Sequence, residues 1–73
     1  MRDEIYAMNL FVKRAISKDC EVYESPSGEY VYLEIDFYGD TLTYLLGNGK
    51  SSYVELVKKA IEIAETLRIE GRL

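Results

Sequence analysis

The chain has 73 residues, a net charge of −4, one Cys, no His and no Trp. This length supports one domain spanning residues 1–73, and a lone cysteine excludes an internal disulfide. Because His is absent, the usual nucleophile–base pairs and the zinc sites built from Cys and His are excluded. We therefore expect a protein that is not an enzyme, with no catalytic residue, metal or cofactor.

The first predicted element is a helix from Asp3 to about Ser17. Its apolar residues recur at helical spacing as Ile5, Met8, Val12, Ala15 and Ile16, with Ala7 and Phe11 widening the face.

The segment lacks the pattern of a signal peptide, and no apolar run approaches the ~18 residues that a membrane span needs. We expect a cytoplasmic protein with no membrane partner. The chain has no Gln and few Asn, a bias that hyperthermophile proteins show.

The middle third switches to a period of two, which is typical of strands. Gly39-Asp40 is predicted to form a two-residue type II′ turn, and Ser25–Gly28 a four-residue loop. These turns predict three antiparallel strands over about 20–24, 29–38 and 41–46. In that register Phe37 lies opposite Leu42 and Val22 lies opposite Val31, so that apolar residues meet on one face.

A second helix is predicted after Gly47–Ser51, because Ser52-Tyr53-Val54-Glu55 is a capping box. Gly71 is a predicted C-terminal stop. The fold class is α+β, a two-layer α-β-β-β-α domain. Its three-stranded antiparallel meander has both helices packed on one face.

The opposite sheet face is then left without a helix. Its strand residues are predicted to be Glu21, Tyr23, Tyr30, Tyr32, Glu34, Asp36, Tyr38, Thr41, Thr43 and Leu45. Residues 19–49 hold seven acids and no base, so the acidity is concentrated in the sheet.

Other candidates for chemistry have structural explanations. Cys20 points inward in the predicted register and is interpreted as a core residue. The carboxylates of Glu34 and Asp36 lie on an open, wet face, where a catalytic pKa shift is not expected. Gly47–Ser51 lacks the spacing of a phosphate-binding loop and is interpreted as a turn. No small-molecule substrate is evident.

The element order and length resemble the double-stranded-RNA-binding domain, and the resemblance covers nearly the whole chain as topology. Gly47-Asn48-Gly49-Lys50-Ser51 is similar to that family's Gly-x-Gly-x-Ser turn, and Ala60 and Ala64 stand where it has inner-face alanines. The family contacts duplex RNA through helix 1, a His-containing loop and a Lys-Lys pair at helix 2. Here the loop has no His and Lys50 stands alone, so the resemblance implies the fold more than the RNA activity.

Three functions follow as hypotheses. The first is a protein-interaction module that binds a protein partner or a second copy as a homodimer, through Glu21, Tyr23, Tyr30, Tyr32, Glu34, Asp36 and Tyr38. The second is duplex RNA binding through Lys13, Arg14, Lys18, Lys50, Lys58 and Lys59, although the net charge disfavours it. The third is an acidic inhibitor of viral type that imitates a nucleic-acid backbone.

Overall fold

The computed structural model describes residues 3–73. The elements are α1 (Asp3–Ala15), β1 (Cys20–Glu24), β2 (Tyr30–Phe37), β3 (Asp40–Asn48) and α2 (Tyr53–Ile69), and the three strands form one antiparallel sheet in the order β1-β2-β3. The predicted α-β-β-β-α fold of the α+β class is confirmed.

Both helices cover the same face of the sheet. α1 packs mainly against β1 and α2 against β3. Their buried residues join the inward residues of the strands in one core, formed by Ile5, Met8, Val12, Cys20, Val22, Val31, Leu33, Ile35, Leu46, Leu56, Ala60 and Leu67. The apolar stripe of α1 is narrower than predicted, since Ala7 and Ala15 are exposed.

The ends of α2 follow the predicted signals. The Ser52 side chain accepts a hydrogen bond from the Glu55 N–H (3.2 Å) and so satisfies a free donor of the first turn. At the other end Gly71 adopts φ +76°, and the Gly71 and Arg72 N–H groups donate to the carbonyls of Arg68 and Leu67. This is a Schellman arrangement, which ends the helix.

The predicted hairpin registers are wrong by two residues in both hairpins. Phe37 pairs with Asp40, so the β2–β3 turn is Tyr38-Gly39, in which both residues have positive φ (47° and 91°), as a type I′ turn requires. Gly39 therefore occupies the second turn position, not the first. The residues that lie on strands keep their predicted faces, because a shift of two residues preserves the alternation of side chains.

The β1–β2 loop shows the same shift. The Ser25 N–H donates to the Tyr30 carbonyl (2.9 Å), so the loop is residues 26–29. Val22 consequently lies opposite Leu33 and not Val31. Turn residues such as Ser and Gly specify that a loop forms, but several neighbouring registers satisfy their chemistry.

A β-bulge interrupts β3 before it reaches α2. Tyr32 lies opposite Leu45 whereas Val31 lies opposite Gly47, so Leu46 is the additional residue. A Cβ atom at Gly47 would lie 2.6 Å from Ser51 Oγ and 2.9 Å from Leu56 Cδ2. The absence of a side chain at Gly47 thus lets the β3–α2 turn pack directly on the first turn of α2.

No helix within residues 3–73 combines the length and the apolar character needed to cross a bilayer.

Candidate functional site

The sheet face away from the helices carries a two-dimensional pattern of side chains. We call it the open face and define it by Glu21, Tyr23, Tyr30, Tyr32, Glu34, Asp36, Thr41, Thr43 and Leu45. The observed register places these residues in rows across the strands, with Tyr23, Tyr32 and Leu45 in one row and Glu21, Glu34 and Thr43 in the next. The open face therefore has an aromatic end and an acidic end.

The aromatic end is a cluster of three tyrosines beside an exposed leucine. The ring centroids of Tyr23 and Tyr32 lie 5.5 Å apart, and those of Tyr30 and Tyr32 lie 6.4 Å apart. Both pairs are tilted, a geometry that aromatic rings prefer to direct stacking. Leu45 extends this apolar surface and is 52% exposed. The central ring of Tyr32 is half-buried by its neighbours, which holds the cluster in place.

The acidic end brings like charges together. Glu21 and Glu34 are direct cross-strand partners, an arrangement that destabilises a sheet in the absence of a cation. Asp36 follows on β2 and accepts a hydrogen bond from the Thr41 hydroxyl (2.9 Å). Among the ion pairs of residues 3–73, none includes Glu21, Glu34 or Asp36. Residues 3–73 therefore leave this negative charge without a salt bridge.

Tyr38 does not lie on a strand, contrary to the predicted strand over 29–38. It occupies the first position of the β2–β3 turn at φ 47°, and its side chain is fully exposed. A bulky residue at positive φ is a conformational outlier, and Asn, Asp or Gly usually stands there. Its ring gains no packing within the described chain that would offset this cost.

The outer edge of β1 is protected by α1, a contact that the sequence did not predict. Asn9 Nδ2 donates to the Val22 carbonyl and the Val22 N–H donates to Asn9 Oδ1, both at 2.8 Å. Next along the edge, Lys13 Nζ donates to the Cys20 carbonyl (2.7 Å) and the Cys20 N–H donates to the Ser17 carbonyl (3.2 Å). One available signal was Asn9 itself, because Asn is a poor helix former in the middle of a helix.

The structure distributes the six predicted RNA-contacting cations along the molecule. Lys13, Arg14 and Lys18 lie at the C-terminal end of α1, which adjoins the C-terminal end of α2 because Arg68 donates to the Ala15 carbonyl (2.6 Å). Lys50 precedes α2 at its opposite end, about 25 Å away along the helix axis. Lys58 and Lys59 lie between these ends. Lys13 is engaged on β1, and Lys59 pairs with Glu62 (3.8 Å).

The remaining residues that could react or bind a ligand have structural roles instead. Burial raises the pKa of the Cys20 thiol, which is consistent with the predicted core position. In the turn before α2, the Asn48 N–H donates to Ser51 Oγ (3.0 Å) and the Lys50 N–H donates to Asn48 Oδ1 (2.8 Å). Within residues 3–73, no three carboxylate, thiol or imidazole side chains are grouped closely enough to hold a metal ion.

Comparison with known proteins gives no match, whether with family models, curated proteins or solved structures. The resemblance to the double-stranded-RNA-binding domain therefore stays a prediction.

Proposed function

We propose that the protein is a non-enzymatic interaction module whose open face binds a basic segment of another protein. The observation that carries this proposal is the juxtaposition of an aromatic end and an uncompensated acidic end on one uncovered sheet face. Tyrosine contributes a large rigid contact area with a polar tip, and carboxylates without an internal cation are available to a partner's Lys or Arg.

The geometry suggests the partner's chemistry. Tyr32 and Asp36 are four residues apart on β2, which corresponds to about 14 Å. A segment that places an apolar or aromatic side chain on the tyrosine cluster would place a nearby Lys or Arg beside Glu34. A second copy stacked in register does not fit the open face, because its Glu21, Glu34 and Asp36 would lie against the same residues of the first copy. The partner at this face is therefore a different protein.

Tyr38 supports the proposal from the hairpin tip. A non-glycine residue at positive φ costs about 1–2 kcal/mol, and strain of this kind concentrates at binding sites. The exposed Tyr38 ring lies beyond the acidic end of β2, where it can contact the same partner segment. We include it in the proposed site together with Glu21, Tyr23, Tyr30, Tyr32, Glu34 and Asp36.

A selection from a phage-displayed random peptide library tests the proposal. We expect enrichment of peptides that carry Lys or Arg within a few residues of an aromatic or large aliphatic residue. Amide chemical shifts of the labelled protein should change on all three strands, most strongly on β2, and in the hairpin tip when a selected peptide is added. Added salt should weaken binding, because part of the attraction is between partly exposed charges.

Two substitutions and a matched control quantify the contribution of each end. Glu34→Gln should weaken binding about two- to fivefold, as expected for a partly exposed charge pair. Tyr32→Ser should weaken it about tenfold or more, because a central aromatic residue is lost. Glu62→Gln on α2 removes an equivalent charge away from the open face and should have no effect. Peptides without basic residues, or equal losses for Glu34→Gln and Glu62→Gln, would contradict the proposal.

The other two functions remain predictions with their own measurements. Duplex RNA of about 16 base pairs, the length that such domains span, should bind at low salt if the cations of α1 and α2 form an RNA-binding surface. Capture of a nucleic-acid enzyme through the acidic end would favour the inhibitor. We also propose a cytoplasmic location.

A further inference from the structure

The two outer edges of the sheet are treated differently. On β1, side chains of α1 occupy the outward backbone groups of Val22 and the Cys20 carbonyl. This is the protection that sheet edges commonly receive against pairing with other chains. Within the described part of the chain, no side chain forms a hydrogen bond with the outward backbone groups of β3 between Thr41 and Leu45.

The direction of those groups follows from the hydrogen bonds of β1. Val22 directs its N–H and C=O to Asn9, away from β2, so its cross-strand partner Leu33 directs both groups toward β3. Asp36 lies three residues after Leu33, and its N–H donates to the Asp19 carbonyl on the β1 side, as this alternation requires. Odd-numbered residues of β2 therefore pair with β3.

The outward groups of β3 are those of Thr41, Thr43 and Leu45. Leu33 lies opposite Tyr44 and Ile35 lies opposite Leu42, so the backbone groups of Tyr44 and Leu42 face β2, and those of the alternate residues face outward. Within residues 3–73, no hydrogen bond to these three outward N–H and C=O pairs is present. Six strong hydrogen-bonding groups thus line an open edge in an extended geometry.

The side chains along this edge do nothing to repel another strand. The segment from Thr41 to Gly47 contains no charged residue and no Pro, although Lys and Pro are the usual means of blocking an edge. Asp40 at its start is the one acidic residue of β3. Leu45 is 52% exposed and Tyr44 is half-buried, so apolar surface accompanies the open edge on both faces of the sheet.

We propose that a second copy of this chain pairs antiparallel along β3, with Thr43 opposite its own equivalent on a two-fold axis. In this register Thr41 lies opposite Leu45 of the second copy, and all three outward residues form their hydrogen bonds, two for each residue pair and about six in all. On the covered face Leu42 lies opposite the second copy's Tyr44. The result is one continuous sheet of six strands.

A second copy is the occupant favoured by self-complementarity. A two-fold antiparallel pairing of an uncharged segment brings no like charges opposite each other, and Asp40 falls opposite Leu46 of the second copy. In the extended sheet the Asp36–Thr41 row of one copy continues into the Leu45–Tyr32 row of the other, and the two Glu34 residues are separated by both β3 strands. A chain this small has a limited core, and dimerisation is a common means of stabilising such folds. This inference does not depend on the partner proposed for the open face.

Sedimentation equilibrium over a range from micromolar to about millimolar concentration tests the proposal. We expect a concentration-dependent monomer–dimer equilibrium that salt strengthens, because each copy carries a net charge of −4. Thr43→Pro removes an outward N–H without touching the β2 ladder and should lower the association constant at least tenfold. Thr43→Val keeps every backbone group and should retain the dimer. A monomer at all concentrations, or equal association of both variants, would overturn the proposal.

Oxidative cross-linking tests the register and remains informative where Thr43→Pro fails to fold. In the proposed pairing the two equivalent Cα atoms at position 43 lie about 5.5 Å apart, which a disulfide accepts, so Thr43→Cys should cross-link readily. Thr41→Cys is the matched control, because its equivalents are offset by about 14 Å along the strand. Cross-linking of Thr41→Cys in preference to Thr43→Cys would reject this pairing. Glu34→Gln should leave cross-linking unchanged, which separates this inference from partner binding.

Discussion

Replacing Asn9 with Ala removes the side chain that satisfies the outer edge of β1. The Val22 N–H loses its acceptor and the Val22 carbonyl loses its donor, both at 2.8 Å. Val22 is 1% exposed, so water has little access to the two groups. A buried polar group left without a partner costs about 1–3 kcal/mol. The better helix propensity of Ala returns about 0.5 kcal/mol.

For two unpaired groups, less the gain in helix propensity, the expected net loss is about 1.5–5.5 kcal/mol in the free energy of unfolding. A chain of this length has a total stability of about 4–11 kcal/mol, so the substitution removes a substantial part of it. Urea unfolding followed by circular dichroism measures the loss directly. The matched control is Leu10→Ala, the next residue of α1, which is 53% exposed and should change stability by less than about 0.5 kcal/mol.

Hydrogen exchange provides a site-specific readout of the same substitution. The Val22 amide should exchange much faster in Asn9→Ala, since its hydrogen bond is lost, while the Tyr23 amide remains paired with β2. Equal stabilities of Asn9→Ala and Leu10→Ala, or an unchanged exchange rate at Val22, would refute the reasoning that α1 closes this edge.

Three further predictions concern single residues. Tyr38→Asn should stabilise the fold by about 0.5–1 kcal/mol in urea unfolding, because Asn tolerates positive φ better than Tyr. The same substitution should weaken peptide binding. A loss of stability would contradict the argument that Tyr38 is strained. Gly47→Ala should cost about 1–3 kcal/mol, because the added methyl group meets Ser51 and Leu56, and an unchanged urea midpoint would contradict this packing. Burial raises the pKa of the Cys20 thiol, so the folded state holds this proton to a higher pH than the unfolded chain. Stability should therefore fall as pH rises above about 8.5. In Cys20→Ala the thermal midpoint should decrease less over this pH range, because the thiol is absent. An identical pH dependence of the thermal midpoint in both proteins would contradict this prediction.

The alternation of side chains predicted the sheet better than the turns did. Val31, Leu33 and Ile35 are buried as their period of two indicates, although both predicted registers were wrong. Apolar alternation is insensitive to a shift of two residues, whereas the turn position depends on which residues adopt positive φ. Tyr38 is an unfavourable residue for such a position, so no local preference pointed to it.

The sequence predicted which residues form the candidate site but not how these residues are arranged across the strands. The sequence indicated that tyrosines and acids share the open face. Its division into an aromatic end and an acidic end follows from the cross-strand pairing of Tyr23 with Tyr32 and of Glu21 with Glu34. Such pairing joins residues 9 to 13 positions apart, and its register is decided by the packing of the whole sheet.

The sequence by itself determined the elements, their order, the two sheet faces and the capped ends of α2, because each depends on residues within a few positions of one another. Only the tertiary structure decided the pairing registers, the bulge at Leu46 and which of the two sheet edges has its outward backbone groups hydrogen-bonded. Asn9 reaches Val22 because α1 packs along β1, whereas α2 leaves the outward groups of Thr43 open. These contacts join distant parts of the chain, and the free energy of packing the core determines which of them form.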